Sequence, residues 1–181
     1  RWELAGGWWV EPDCNIPCGE AFVRQALIAQ SYFRAKFGKI AKTGYNIDSF
    51  GHNAMLPQIL RKGGVENYVF MRPDPNEKKG LPGPLFQWQA PDGSRVAAFR
   101  IVGQYLSWGK DLEPNVTFCA KHLSAEIPSL MCFYGVGNHG GGPTRENIAS
   151  IRRMDALPEM PRLVFSSPTR FYESLTPEQR E

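Results

Sequence analysis

One stretch in the first third of the chain organises the rest: Thr43-Gly44-Tyr45-Asn46-Ile47-Asp48-Ser49-Phe50-Gly51-His52-Asn53. It opens with the alternation of a short β-strand, which places Tyr45 and Ile47 on one face. An acid, an aromatic residue, a glycine and a histidine follow before a helical pattern begins at Ala54. α/β proteins place their chemistry at the carboxyl ends of buried strands, because the loops converge there. Asp48 is therefore either a reactive carboxylate or the cap of the following turn.

The composition limits the functional classes. The 181 residues include 42% hydrophobic residues, enough for a core, and carry a net charge of only +3. This small charge, without a stripe of Lys and Arg, argues against a nucleic-acid partner. No segment approaches the roughly 20 apolar residues of a membrane span, so we expect no membrane partner. The chain does not begin with Met and shows no signal peptide, which favours a piece of a longer protein.

The cysteines form either two disulfides, part of a metal site, or reduced thiols. They are Cys14, Cys18, Cys119 and Cys132. The C-x3-C spacing of the first two is not typical of a zinc site. The other two lie among apolar residues, as small core side chains do. We therefore predict reduced thiols in a cytoplasmic protein.

Strand and helix patterns alternate along the chain. The strand patterns cover residues 4–10, 43–47, 68–71, 86–89, 95–101, 129–136 and 162–165, and the fourth and fifth flank the hairpin signal Asp92-Gly93. The helix patterns cover residues 19–37, 54–62, 116–127, 144–154 and 167–175. Such alternation predicts an α/β fold with a largely parallel sheet, open or barrel-like.

Polar residues follow four of the predicted strands. Asp13 follows the first, Asp48 the second and Arg72 the third, and Asn138-His139 follow the late apolar strand. Parallel strands bring their carboxyl ends to one edge of a sheet. We therefore expect an acid, a base and a cation to share one pocket.

Five motifs in this order resemble the α-mannosidases of glycoside hydrolase family 38, most of all the bacterial and cytosolic branch. They are GGWWVEPDCNIPCGE from Gly6, IDSFGHN from Ile47, LPQIL from Leu56, DGSRV from Asp92 and GNHGGGPT from Gly137. The resemblance implies a retaining, zinc-dependent glycosidase that acts on mannose-containing oligosaccharides. It also implies a parallel, barrel-like α/β catalytic domain, of which residues 1–181 would be one incomplete domain.

The resemblance assigns roles to particular residues. Asp48 would be both the nucleophile and a zinc ligand, and Phe50 would line the sugar site. Arg72 would lie beside the nucleophile, where a cation keeps a carboxylate ionised. Tyr105 would stack on the sugar, and Asp13 would form part of the pocket wall. Homo-oligomerisation of the full-length protein is left open.

Two departures from the family pattern are expected to matter. The family's zinc site also uses a His-x-Asp pair on an earlier strand and a later histidine, and neither is in this sequence, so the fragment alone should hold zinc poorly. Relatives carry a carboxylate in the glycine loop as general acid, whereas this chain has Asn138-His139. His139 is either that acid, since a histidine titrates near neutrality, or a residue that orients a hydroxyl. For His52 we expect a structural hydrogen bond to the Asp48 loop.

Two other functions compete with the mannosidase. The missing carboxylate in the glycine loop favours a carbohydrate-binding or scaffold domain without turnover. A metal-dependent polysaccharide deacetylase on a related fold would need clustered His and Asp residues, and the three histidines of this chain are scattered.

Overall fold

The computed structural model describes residues 2–74, 76–137 and 141–180, with the side chain of Arg180 excepted. The helices are α1 Gly19–Phe37, α2 Leu56–Lys62, α3 Glu113–Ala120, α4 Arg145–Asp155, α5 Pro168–Ser174 and α6 Pro177–Arg180. The strands are β1 Thr43–Tyr45, β2 Asn67–Phe70, β3 Leu85–Gln89 and β4 Arg95–Arg100. The chain divides into two compact units. Unit 1 holds the residues up to Arg100 together with those from Ser167 onwards, and unit 2 holds Ile101–Ser166. A single partial catalytic domain remains a prediction.

The sheet of unit 1 confirms the predicted α/β class. Its strand order is β1-β2-β4-β3, with β1, β2 and β4 parallel and β3 antiparallel to β4. Tyr45 is opposite Val69, and Val69 is opposite Phe99. In the part of the chain that the structure describes, the sheet is open and mixed. The barrel-like closure that we predicted is not seen there.

Helix α1 has the predicted bounds. Phe22, Ala26 and Ala29 recur at helical spacing and are buried. The helix ends at Gly38, whose φ of 69° lies in the left-handed region and whose amide donates to the carbonyl of Arg34 over 3.0 Å. Glycine adopts this conformation without steric cost, which is why it terminates helices.

Unit 1 buries both faces of its sheet. On one face α1 and α2 cover Tyr68 and Val96, and Trp8 completes the cluster. On the other face Phe99 meets Phe171 of α5 with ring centroids 5.4 Å apart. The Tyr172 hydroxyl donates to the Tyr68 carbonyl over 2.8 Å. Burial on both faces explains why all four residues of β2 are inaccessible to solvent.

Unit 2 is built on α3 and α4. The Thr144 side chain accepts from the Asn147 amide, and the Asn147 side chain accepts from the Thr144 amide, so the predicted start of α4 is a capping box. Its buried cluster consists of Leu112, Val116, Ile151 and Met154.

Three predicted strands are wrong. Residues 4–10 form one bridge, from Ala5 to Thr43, because Gly6 and Gly7 turn the chain with φ of 93° and 76°. Residues 129–136 contribute one bridge, between Val136 and Ser107, and residues 162–165 contribute none. An apolar run becomes a strand where a neighbour completes its hydrogen bonds, and in the described residues each of these segments makes at most one such bridge.

The remaining differences are the ends of several elements and one additional helix. The predicted helix over 116–127 is α3, which starts three residues earlier at Glu113 and ends at Ala120. Helix α6 was not predicted.

Within residues 2–74, 76–137 and 141–180, none of the helices has the length and apolar content needed to cross a bilayer.

Candidate active site

The centre of the candidate site is a carboxylate at the end of β1 beside a guanidinium at the end of β2. Asp48 follows β1 and Arg72 follows β2, and the parallel register of these strands brings the two loops together. Arg72 Nε donates to Asp48 Oδ1 over 3.0 Å. The Asp48 side chain is 51% exposed, so it is fixed by a cation and still accessible from solvent. The structure thus brings together the two residues that the sequence placed in one pocket.

Arg72 has two further contacts that fix its side chain. Its Nη1 donates to Glu77 Oε1 over 2.6 Å, and its Cζ lies 4.8 Å from the ring centroid of Phe50. Desolvation lowers the pKa of Arg72, but the hydrogen bond to Asp48 and the charges of Glu77 and Asp48 outweigh it and raise the pKa. The guanidinium is therefore a permanent cation with one edge on Asp48 and one face on an aromatic ring.

Phe50 is 75% exposed, although it is a large apolar residue. An exposed aromatic ring next to a paired carboxylate is a typical surface for a sugar ring to stack on. The predicted role of Phe50 in lining the sugar site stays a prediction.

The loop that follows Trp8 holds the Asp48 loop from the other side. Glu11 Oε1 accepts from the amides of Ile47 and Asp48, over 2.6 and 3.3 Å. The Pro12 carbonyl accepts from Ser49 Oγ over 2.6 Å. The amides of Ile47 and Asp48 and the hydroxyl of Ser49 are therefore tied to the 11–15 loop.

Gly51 is needed where the two loops cross. Its φ is 152°, and a Cβ at this position would lie 2.6 Å from Asn15 Nδ2. Side chains are disfavoured both by this backbone conformation and by the close approach of the neighbouring loop.

His52 connects the Asp48 loop to the Arg72 backbone. Its Nε2 lies 2.6 Å from the Arg72 carbonyl oxygen, and its Nδ1 lies 3.0 Å from the Tyr68 hydroxyl. Burial lowers the pKa of His52 below 6.5, and the hydrogen bond to the Arg72 carbonyl opposes that shift. These contacts are structural, as we expected, but the partners are Arg72 and Tyr68 rather than the Asp48 loop.

Asp13 lies in the loop that packs against the Asp48 loop, and it is exposed. Its Oδ1 accepts from the amides of Asn15 and Ile16 over 2.8 and 2.9 Å, and these hydrogen bonds lower its pKa. One oxygen is thus used to shape the loop. Its predicted contact with a sugar stays a prediction.

The structure does not test three other predicted site residues. Tyr105 belongs to unit 2 and is half-buried in an irregular segment. Asn138 and His139 lie outside the described residues. Their predicted roles, sugar stacking for Tyr105 and proton donation for His139, remain predictions.

The described residues do not form a zinc site by themselves. No three side chains of His, Cys, Asp or Glu cluster as metal ligands in the described ranges. Asp48 already accepts from Arg72 through Oδ1. Catalytic zinc sites use several protein ligands, so Asp48 would need partners from outside these ranges.

Comparison with known proteins assigns the family. The sequence model of the family described as the glycosyl hydrolases family 38 N-terminal domain matches residues 1–181. The chain belongs to glycosyl hydrolase family 38. Alpha-mannosidase G of Dictyostelium discoideum is 33% identical to this family 38 domain over 173 residues, which is 95% of this chain and 16% of that protein. Human alpha-mannosidase 2C1 is 33% identical over 171 residues, 94% of this chain and 16% of that protein.

A solved structure shows a similar fold. The family 38 domain matches the crystal structure of an alpha-mannosidase from Enterococcus faecalis V583 with a TM-score of 0.68 and 19% sequence identity. The match covers 93% of this chain and 20% of that one. The chain therefore spans about a sixth to a fifth of the length of these relatives.

Sequence reasoning missed two acids of the candidate site, Glu11 and Glu77. Glu11 directly precedes Pro12-Asp13, in a loop that we expected to enter the pocket through Asp13. Glu77 lies in the polar, proline-rich stretch after β2, which resembles an ordinary solvent-facing loop. The position of Glu11 in a loop that follows an expected strand was a usable signal, whereas the position of Glu77 gave none.

Proposed function

We propose that the full-length protein hydrolyses terminal α-mannosides with retention, through a covalent glycosyl intermediate on Asp48. The observation that carries this proposal is the Asp48 carboxylate, half-exposed at the carboxyl end of β1 and held at 3.0 Å by Arg72. Family membership supports a glycosidase, and the relatives named alpha-mannosidase support mannose as the sugar.

In the first half of the reaction an Asp48 oxygen forms a bond to the anomeric carbon. The bond from that carbon to the glycosidic oxygen breaks, and the departing oxygen takes a proton from a general acid. In the second half, water attacks the same carbon, gives a proton to the deprotonated general acid, and releases Asp48 as a carboxylate. Because two inversions occur in sequence, the sugar leaves with its original anomeric configuration.

Arg72 and Glu11 prepare Asp48 for this role. Arg72 holds Oδ1 and leaves the remainder of the half-exposed carboxylate available for attack. Glu11 fixes the backbone of the Asp48 loop, so that the carboxylate keeps one direction. Such preorganisation lowers the cost of reaching the reactive geometry.

The other roles extend the proposal beyond the described contacts. His139 would donate the proton to the departing oxygen, with Asn138 beside it. Phe50, Tyr105 and Asp13 would bind the mannose-containing oligosaccharide. Zinc would be held by Asp48 together with ligands outside the described residues, and the sheet would close into a barrel in the longer protein. Reduced thiols and a cytoplasmic location complete the proposal.

A carbohydrate-binding domain without turnover is the second candidate. The Asn138-His139 pair in place of a carboxylate favours it, because an amide does not serve as a general acid. This domain would bind mannosides through the same loops and release them unchanged.

Hydrolysis of an aryl α-mannoside by the purified full-length protein separates the two candidates. We expect turnover by the wild type and the loss of turnover in Asp48→Asn, which keeps the size of the side chain and removes the nucleophile. Asp92→Asn, in the exposed β3–β4 hairpin, is the matched control and should retain activity. Binding of mannosides by a wild type that releases no product would establish the second candidate.

A further inference from the structure

The imidazole of His52 lies between two groups that belong to β2 and its end. The Tyr68 hydroxyl lies on one side, 3.0 Å from Nδ1, and the Arg72 carbonyl oxygen on the other, 2.6 Å from Nε2. A carbonyl oxygen only accepts hydrogen bonds, so Nε2 carries the proton. Nδ1 of the neutral ring is then an acceptor, and the Tyr68 hydroxyl donates to it. The contacts therefore select one tautomer.

The ring is also held in place by its packing. Phe70, Tyr68 and Trp88 meet it with centroid distances of 5.0, 5.5 and 6.1 Å, all three nearly edge-on. The packed faces leave the imidazole little freedom to turn, so the proton on Nε2 keeps its direction.

The hydrogen-bond chain continues into the core beyond Tyr68. The Tyr68 hydroxyl lies 3.9 Å from Cys14 Sγ, and Asn46 Nδ2 donates to the same sulfur over 2.9 Å. Burial raises the pKa of Tyr68 well above 10.0. The hydroxyl therefore stays protonated near neutral pH and can donate to His52.

We propose that His52 is a positioning residue for Arg72: its Nε2–H fixes the Arg72 backbone so that the guanidinium meets Asp48. The Arg72 carbonyl accepts this short hydrogen bond, and the Arg72 side chain reaches Asp48, Glu77 and the Phe50 ring. A shift of the backbone would move all of these contacts together. The catalytic consequence rests on the proposed mannosidase function, whereas the geometric one does not.

A double-mutant cycle in the full-length protein tests the catalytic consequence. We expect His52→Ala to lower kcat/KM for an aryl α-mannoside by about tenfold, in the range of coupled neighbouring residues. In an Arg72→Ala background the same change should cost less than about twofold, because the group through which His52 acts is already gone. Equal losses in both backgrounds would overturn the proposal.

Two conservative variants keep the test valid where His52→Ala folds poorly. His52→Gln retains an N–H that can reach the Arg72 carbonyl and should recover part of the activity. Tyr68→Phe keeps the ring that packs on His52 and removes the donor to Nδ1, so it should lower kcat/KM in the same direction. His122→Gln, an exposed histidine in unit 2, is the control and should match the wild type.

A crystal structure of the His52→Ala variant tests the geometric claim whether or not the protein is a mannosidase. We expect the hydrogen bond between Arg72 Nε and Asp48 Oδ1 to be lost. An unchanged contact near the 3.0 Å of the native chain would overturn the positioning role. A wild type without hydrolysis would instead contradict the proposed function alone.

Discussion

Arg72 Nε lies 3.0 Å from Asp48 Oδ1, and this hydrogen bond joins the ends of two neighbouring parallel strands. The same guanidinium lies over Phe50 and contacts Glu77. One side chain thus connects the carboxylate that we assign as nucleophile to the aromatic surface that we assign to the sugar. The predictions for the site all depend on this arrangement.

Removal of Arg72 should weaken catalysis without unfolding the chain. We expect Arg72→Ala to lower kcat/KM for an aryl α-mannoside. The drop should correspond to a loss of about 2–3 kcal/mol in transition-state stabilisation, as for one lost charge-assisted hydrogen bond. Arg72→Lys should recover only part of the loss, because an ammonium cannot contact Asp48 and Glu77 as a planar fork. Arg95→Lys, in the exposed hairpin, is the matched control. Wild-type kinetics in Arg72→Ala would place Arg72 outside the reaction.

Gly51→Ala should loosen the crossing of the two loops. The φ of 152° and the 2.6 Å approach to Asn15 Nδ2 together predict a loss of about 1–3 kcal/mol in the free energy of unfolding, measured with urea. Gly19→Ala is the control, because that glycine has open space around it and no positive φ. Adding Asn15→Ala to the Gly51→Ala variant should remove the close contact. Only the cost of the strained backbone conformation should then remain. Equal stability of the Gly51 and Gly19 variants would contradict the strained crossing.

Protonation of His52 should destabilise the folded chain. Its folded-state pKa is lowered from 6.5 by burial, so the unfolded state takes up this proton first as the pH falls. The stability contributed by neutral His52 is therefore present above about pH 6.5 and is lost as the pH falls from there towards the folded pKa. The other titratable groups near the ring are Tyr68, which contacts His52, and Cys14, which contacts Tyr68. Glu77 and Lys78 line the same cleft as His52.

The measurement is urea unfolding between pH 7 and pH 5 in wild type, His52→Gln and His122→Gln. We expect His52→Gln to show the flattest dependence of unfolding free energy on pH, and His122→Gln to follow the wild type. Identical slopes in all three proteins would show that His52 does not titrate differently in the folded state.

Much of the fold follows from local patterns in the sequence. Helix α1, the hairpin at Asp92-Gly93 and the Thr144 cap are each specified by residues close in sequence. The segment 129–136 looks equally strand-like, but a strand requires a partner strand, and the described residues pair this segment through one bridge at Val136. The sequence alone does not show whether a partner strand is available. Residues 4–10 fail for a local reason, since Gly6 and Gly7 adopt positive φ.

The same distinction applies to the site. Asp48 and Arg72 were predictable because each follows a strand, and parallel strands align their ends. The contacts of Glu11 with the Asp48 amide and of His52 with the Arg72 carbonyl join loops far apart in the sequence. No spacing rule connects such residues, so these contacts required the three-dimensional structure.

The dependence of the hydrolysis rate on the leaving group of the substrate tests the role of His139. A general acid contributes typically 10²–10⁴-fold where the departing oxygen needs a proton, and little where it departs unaided. His139→Ala should therefore impair the hydrolysis of unactivated mannosides far more than that of activated aryl mannosides. Equal losses on both substrates would limit His139 to positioning the sugar.

The central claim is that Asp48 forms the covalent bond to the sugar. A fluorinated mannosyl fluoride traps such an intermediate, because fluorine slows hydrolysis of the glycosyl-enzyme while the fluoride departs readily. We predict that mass spectrometry of the digested full-length protein will locate one added sugar on the peptide that contains Asp48, and none in Asp48→Asn. A sugar attached to a different carboxylate, or steady turnover with inversion and no adduct, would contradict the account.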